Sequence, residues 1–219
     1  MIYSEETAEN IARHLLEIHA IKLSPDQPFT WASGLHSPIY CDNRIALSFP
    51  VIRTYIRQQL VKAATDHFGQ VEMISGVATA GIAQGVLVAQ ELGLPFSYVR
   101  DTKKRHGMAN QIEGFIRKGQ SAIVVEDLVS TGKSSLNAVA ALRKAGIEVK
   151  GMLSIFTYGL GAADDAFEKV QCKLISLSDY DHLIQVALEN NYVDREALFS
   201  LQNWRQDPKK WSIEHADDK

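Results

Sequence analysis

The chain has 219 residues, 46% apolar and 22% charged, the balance of a folded globule large enough to bury a core without disulfides or metals. A formal charge of −3 argues against a general nucleic-acid binder, which needs a basic face to neutralise phosphates. No apolar run approaches the ~18 residues that span a bilayer, and Glu5, Glu6 and Glu9 open the chain with no basic leader. A cytoplasmic protein with no membrane partner is therefore expected, and Cys41 and Cys172, which form no CxxC or metal spacing, are expected to be buried small hydrophobes.

Ser4 can cap a helix whose first turn holds Glu5 and Glu6, with Ala8, Ile11, Ala12 and Leu15 on one face. From Ser24 to Leu47 the pattern breaks into short extended pieces punctuated by Pro25, Pro28, Gly34 and Pro38. A second helix is expected from Phe49 to Phe68, stopped by Gly69. The rhythm then becomes strand, loop, helix. Strands are predicted over Val71–Ser75, Phe96–Val99, Ala122–Val125, Lys150–Phe156 and Lys173–Ser176. A helix from Ala80 to Leu92 is expected to turn Ile82, Val86 and Ala89 inward before Gly93 and Pro95. Another, from Thr131 to Ala145, carries Leu136, Val139 and Leu142 on one stripe. Asp179 to about Trp204 reads as helical, and His215–Lys219 as a frayed end. This alternation predicts an α/β fold, a mostly parallel sheet flanked by helices, in one domain over residues 1–219. Ligands in such sheets sit at the carboxyl ends of strands, which points to the loops after residues 75, 99 and 125.

The strongest local signal begins in the apolar run Ala122–Val125, which leads into Glu126 and Asp127, then Leu128, Val129, Ser130, Thr131, Gly132, Lys133, Ser134 and Ser135. A helix start presents free N–H groups and a dipole that favours an anion. Ser130, Thr131, Ser134 and Ser135 add hydroxyl donors, and Gly132 allows close backbone approach. Ionised carboxylates only accept hydrogen bonds, so the acids suit sugar hydroxyls rather than phosphate. A phosphate beside a diol describes a ribose 5-phosphate. Gly132-Lys133-Ser134 resembles the end of a Walker A loop, but Asp127 occupies the position that loop reserves for its first glycine, which excludes a P-loop.

A second cluster, Arg100, Lys103, Lys104, Arg105 and His106, leaves the carboxyl end of the Phe96–Val99 strand. Seen alone it reads as a solvated loop. Beside a phosphate cradle, its donors suit the developing charge of a pyrophosphate leaving group, and a mobile basic loop could close and exclude water. Ser75–Ile82 is a small-residue turn that serves equally as an anion nest or as tight packing.

The acid pair and the stretch Leu128 through Ser134 resemble the PRPP-binding signature of the type I phosphoribosyltransferases. The resemblance implies that Glu126 and Asp127 bind ribose hydroxyls and that the loop binds the 5-phosphate. Three further patterns narrow it to the orotate phosphoribosyltransferase family: Tyr98-Val-Arg100, Lys104-x-His106-Gly107, and Asn110-Gln-Ile-Glu-Gly114. The segment Phe29–Arg44, with its F-x-x-x-S-G-x-x-S-P-x-Y-x-D-x-R spacing, resembles that family's hood over the base, so residues 1–47 are expected to contribute a hood.

The resemblance implies transfer of ribose 5-phosphate from PRPP to orotate in pyrimidine (UMP) biosynthesis, with Mg²⁺ carried mainly by PRPP and no metal cage of protein residues. It implies Asp127, Lys104 and His106 as catalytic residues, with Arg100, Lys104 and His106 on pyrophosphate. It implies Ser130 on orotate, and a homodimer whose basic loop reaches into the neighbouring site. The chain departs from relatives at Ala32, Ala80 and Asp101, where some carry lysine, and at Thr157-Tyr158, near which some carry arginine. Arg44 is the candidate counter-ion for the orotate carboxylate. Two alternatives are a phosphoribosyltransferase for another base and a PRPP-sensing regulator that binds nucleic acid, though the latter would need a basic surface or an added helix-turn-helix.

Overall fold

A computed structural model describes residues 1–31, 33–101 and 111–215. Helix α1 (Glu5–Glu17) starts where Ser4 Oγ accepts from the Thr7 amide at 3.2 Å, and it buries Ala8, Ile11, Ala12 and Leu15 as its spacing predicts. Two small antiparallel pairs follow: β1 (Ile21–Leu23) with β4 (Ile39–Cys41), and β2 (Phe29–Thr30) with β3 (His36–Ser37). A 3-10 turn (Asn43–Ser48) leads to α2 (Pro50–Phe68), where Pro50 fits the first helical turn because its missing N–H is not needed there.

The main sheet then builds from β5 (Met73–Val77), helix α3 (Gly81–Leu92), β6 (Phe96–Val99) and the short β7 (Ile112–Glu113). It continues with β8 (Ser121–Val129), α4 (Lys133–Lys144), β9 (Glu148–Thr157), α5 (Gly161–Lys169) and β10 (Leu174–Asp179). Helices α6 (Tyr180–Glu189), α7 (Arg195–Gln206) and α8 (Pro208–Glu214) close the described chain. The strand order is β10-β9-β8-β5-β6-β7, parallel except for β7 at the edge. Helices cover both faces. Ile123 and Val125 of β8 point into the cluster shared with α1, α2 and α6, whereas Ala122 and Val124 point into the one shared with α4 and α5. Burial on both sides explains why these strands are continuously apolar in sequence.

The structure departs from the sequence reading in several places: strand β7 is additional, and the helix expected from Asp179 to about Trp204 is two helices, α6 and α7, broken at residues 190–194. Strand β8 runs on past Val125 to Val129 because β9 continues beside it, pairing Glu126 with Ser154 and Leu128 with Phe156. The acid pair thus lies on a strand, and α4 begins at Lys133 rather than Thr131. On α3, Val86 is 41% exposed; the buried face is Gly81, Gln84, Gly85, Val88 and, as expected, Ala89, because glycines let the helix press against the sheet backbone. Helix α5 and the extension of helix through α8 to Glu214 are additional to the expected elements.

Candidate active site

The sheet reverses direction between β5 and β8: from β5 the chain winds outward through β6, and from β8 it winds the other way through β9 and β10. A crevice opens at such a switch point, outside the carboxyl ends of the two strands. Here those ends deliver the Val77–Thr79 turn and the Glu126–Asp127 pair. The Ala78–Thr79 peptide bond is cis. Gly81, at the start of α3, packs directly on β8: a Cβ there would sit 2.4 Å from the Val125 carbonyl oxygen and 3.2 Å from Glu126 Cα. Close backbone contact therefore fixes the small-residue turn against the acids.

Neither α3 nor α4 has a side-chain cap, whereas α1, α6, α7 and α8 are capped by Ser4, Asp179, Asp194 and Asp207. Helices α2 and α5 also start without one, but α3 and α4 are the two that follow directly on the crevice strands β5 and β8, where free N–H groups at a helix start suit an anion. Before α4, Gly132 adopts the left-handed region at φ 77°, with the Phe167 ring 2.8 Å from where a Cβ would lie. A cleft of about 380 Å³ lies over this turn, bounded by Asp101, Leu128, the loop residues 130–134 and Asn137.

Glu126 is buried and Asp127 half-buried. Glu126 accepts from Ser135 Oγ at 3.2 Å and from the Asp127 amide at 3.2 Å. Burial, and then the Asp127 charge beside it, pushes the Glu126 carboxyl well above the ordinary carboxylate range. Burial also raises Asp127, against the lowering effect of hydrogen bonds from neighbouring groups. Two acids this close and this dry resist joint ionisation until something positive or proton-donating meets them.

The N-terminal segment reaches this strand end. Asn43 Nδ2 donates to the Asp127 carbonyl oxygen at 2.8 Å, across 84 residues of sequence. Arg44 is held in a two-point pair with Asp42, Nε to Oδ1 at 2.6 Å and Nη2 to Oδ2 at 2.9 Å. The Asp42 partner raises the Arg44 guanidinium, and the Asp127 charge adds to it. Beside them, burial pushes the Cys41 thiol well up, so it stays protonated; contrary to expectation it is only half-buried and donates to Asn43 Oδ1 at 3.4 Å, whereas Cys172 is buried as expected.

The structure therefore brings together Glu126, Asp127, Leu128, Ser130, Thr131, Gly132, Lys133 and Ser134 along one strand end, one turn and one helix start. Val129 is also there, but its side chain is in the core and its carbonyl accepts from the Tyr158 amide, at 3.1 Å, and Thr157 Oγ1. Ser135 was expected to face the anion; it is instead 1% exposed and spent on Glu126. Arg100 sits at the end of β6, its Nη1 3.5 Å from Glu113, and exchanges hydrogen bonds with Gln111. Lys104 and His106, with Lys103 and Arg105, lie outside the described residues. Asn43 and Asn137 escaped the sequence reading. Asn43 stands inside the hood spacing, yet only the fold carries it to Asp127.

An open parallel sheet with an acid pair beside an uncapped helix start is the arrangement of a phosphoribosyltransferase, and the phosphoribosyl transferase domain model matches residues 51–189. Over 203 residues the chain is 52% identical to the orotate phosphoribosyltransferase of Bacillus subtilis, covering 92% of this chain and 94% of that one. It belongs to the orotate phosphoribosyltransferase family. The solved orotate phosphoribosyltransferase of Aeropyrum pernix superposes with a TM-score of 0.73 at 26% identity, covering 84% of this chain and 99% of that one. The UMP synthase of Leishmania donovani shares the fold, with a TM-score of 0.76 at 23% identity; the match covers 90% of this chain and 42% of that longer one.

Proposed function

We propose that this chain transfers ribose 5-phosphate from PRPP to orotate, releasing diphosphate and forming orotidine 5′-phosphate. The observation that carries this reading is the acid pair on β8 running directly into the uncapped start of α4. The N–H groups and hydroxyls of Ser130 to Ser134 suit the 5-phosphate, and Glu126 and Asp127 suit the ribose hydroxyls.

The roles follow from where charge develops. As the bond from ribose C1 to pyrophosphate breaks, positive charge builds on the sugar, and the carboxylates of Glu126 and Asp127 favour it. Arg100, Lys104 and His106 favour the departing negative charge, and orotate N1 then attacks from the opposite face with inversion. Ser130, on the rim of the cleft, is assigned to orotate, and residues 1–47 form the hood above it. A Mg²⁺ ion arriving on PRPP would neutralise pyrophosphate charge. The residues fit such an ion: Glu126 and Asp127 offer carboxylate oxygens at the crevice. The basic loop is assigned to the neighbouring site of a homodimer, and the protein to the cytoplasm; among the described residues no helix is long and apolar enough to cross a membrane.

The test is the absorbance change of orotate when PRPP and Mg²⁺ are mixed with purified protein, each component omitted in turn. Turnover that requires all three is expected. No turnover with orotate, but turnover with another base from a panel, would reassign the substrate.

A further inference from the structure

The N-terminal hairpin is too small to hold its own position. Strands β2 and β3 contribute two residues each, and an isolated two-stranded hairpin is marginal in water. Its place over the carboxyl end of β9 must come from outside anchors. Two of these belong to the far end of the chain. The His36 amide donates to Ser212 Oγ on α8 at 2.8 Å, across 176 residues, and Ser212 is 5% exposed. The Trp31 ring meets the fully buried Trp204 of α7 edge to face at 5.7 Å.

The third anchor connects the hairpin to the site. Trp31 stacks on Tyr158 at 5.6 Å and 25°, and Tyr158 also meets Trp204 at 5.5 Å. Tyr158 follows β9 directly, and its amide donates to the Val129 carbonyl at the head of the phosphate turn. Trp204 is itself set by Tyr180, at 5.3 Å, whose hydroxyl donates to the Leu201 carbonyl of α7. Three segments distant in sequence thus form one aromatic wall, with the hairpin on one side and the C-terminal helices on the other.

We propose that α7 and α8 act as a positioning element for the base subsite, with Ser212 and Trp204 holding the β2–β3 hairpin against Tyr158. This rests on the reading that the hairpin covers the base. Ser212 and Trp204 are positioning residues: they act through His36 and Trp31 and touch no substrate. The effect falls on the base rather than on PRPP, because the bond from Tyr158 to Val129 is made by the main chain and not by the ring, and the phosphate turn and the acid pair are otherwise secured by α4, by the α3 contact and by Asn43.

The test is Ser212→Ala, read in two ways. Hydrogen exchange followed by mass spectrometry over residues 29–41 should speed up around His36, since a partly buried N–H loses its acceptor. In steady-state assays the KM for orotate should rise about five-fold while the KM for PRPP stays unchanged. Ser212→Thr, which keeps the hydroxyl, should behave as wild type in both. Unchanged hairpin exchange would overturn the proposal, as would KM values for both substrates rising together with a lower melting temperature. If the wild-type chain does not use orotate, the functional reading falls, while the exchange measurement still decides whether α8 anchors the hairpin.

Discussion

Replacing Gly81 by alanine should damage the site from beneath, without touching any substrate-facing group. The added Cβ would lie 2.4 Å from the Val125 carbonyl oxygen, where ordinary contact begins near 3.4 Å. Neither neighbour can swing aside, because one is the backbone of α3 and the other the backbone of a central strand. Helix and strand must separate by about 1 Å, and overpacking of this kind costs about 1–3 kcal/mol. For a chain of this size each kcal/mol lowers the melting temperature by about 2–4 °C. The displaced strand atoms are those of Val125 and Glu126, so the acid pair moves with them, and a 1 Å misplacement of reacting groups costs on the order of 100-fold in rate. The assay is a thermal melt with orotate turnover, beside Gly161→Ala as control, where an added Cβ meets nothing within 4 Å. A Gly81→Ala protein with wild-type melting and wild-type turnover would refute the claim that close helix–strand packing positions the acids.

Asp127→Asn should retain its fold, because Asn43 bonds the residue's main-chain carbonyl, while turnover falls on the order of 100-fold through loss of charge facing the sugar; a normal rate would remove the assigned role. The raised Glu126 and Asp127 carboxyls predict that binding of Mg²⁺ and PRPP near pH 6 releases protons, and that affinity strengthens as pH rises through their elevated range. Calorimetry in MES and in bis-Tris should then give different heats, less so for Glu126→Gln; identical heats would count against the buried pair holding a proton.

His182 bridges Asp179 and Glu5, at 2.7 Å on each side, joining α6 to α1. Burial disfavours its charge, but the hydrogen bonds and charges of Asp179 and Glu5 outweigh it, so its pKa is raised above 6.5. A raised folded pKa stabilises fully below the unfolded value and is lost as pH climbs through the folded one. His182→Gln should therefore lower the melting temperature more at pH 6 than at pH 9, and an equal loss at both would show that the bridge carries no charge.

What neighbouring residues decide was readable before any coordinates. The cap at Ser4, the strand, acid pair, turn and helix of residues 122–145, and the parallel class of the sheet follow from local patterns of burial and charge, because each depends on side chains a few positions apart. The extension of β8 to Val129 was not, since the acids that end its apolar run are held in strand geometry by β9. Nor were the bond from Asn43 to Asp127, the diversion of Ser135 to Glu126, the outward turn of Val86, or the wall of Trp31, Tyr158 and Trp204. Each of these is a choice among partners distant in the chain, and only the packed sheet and its helices bring one partner within reach and take the others away.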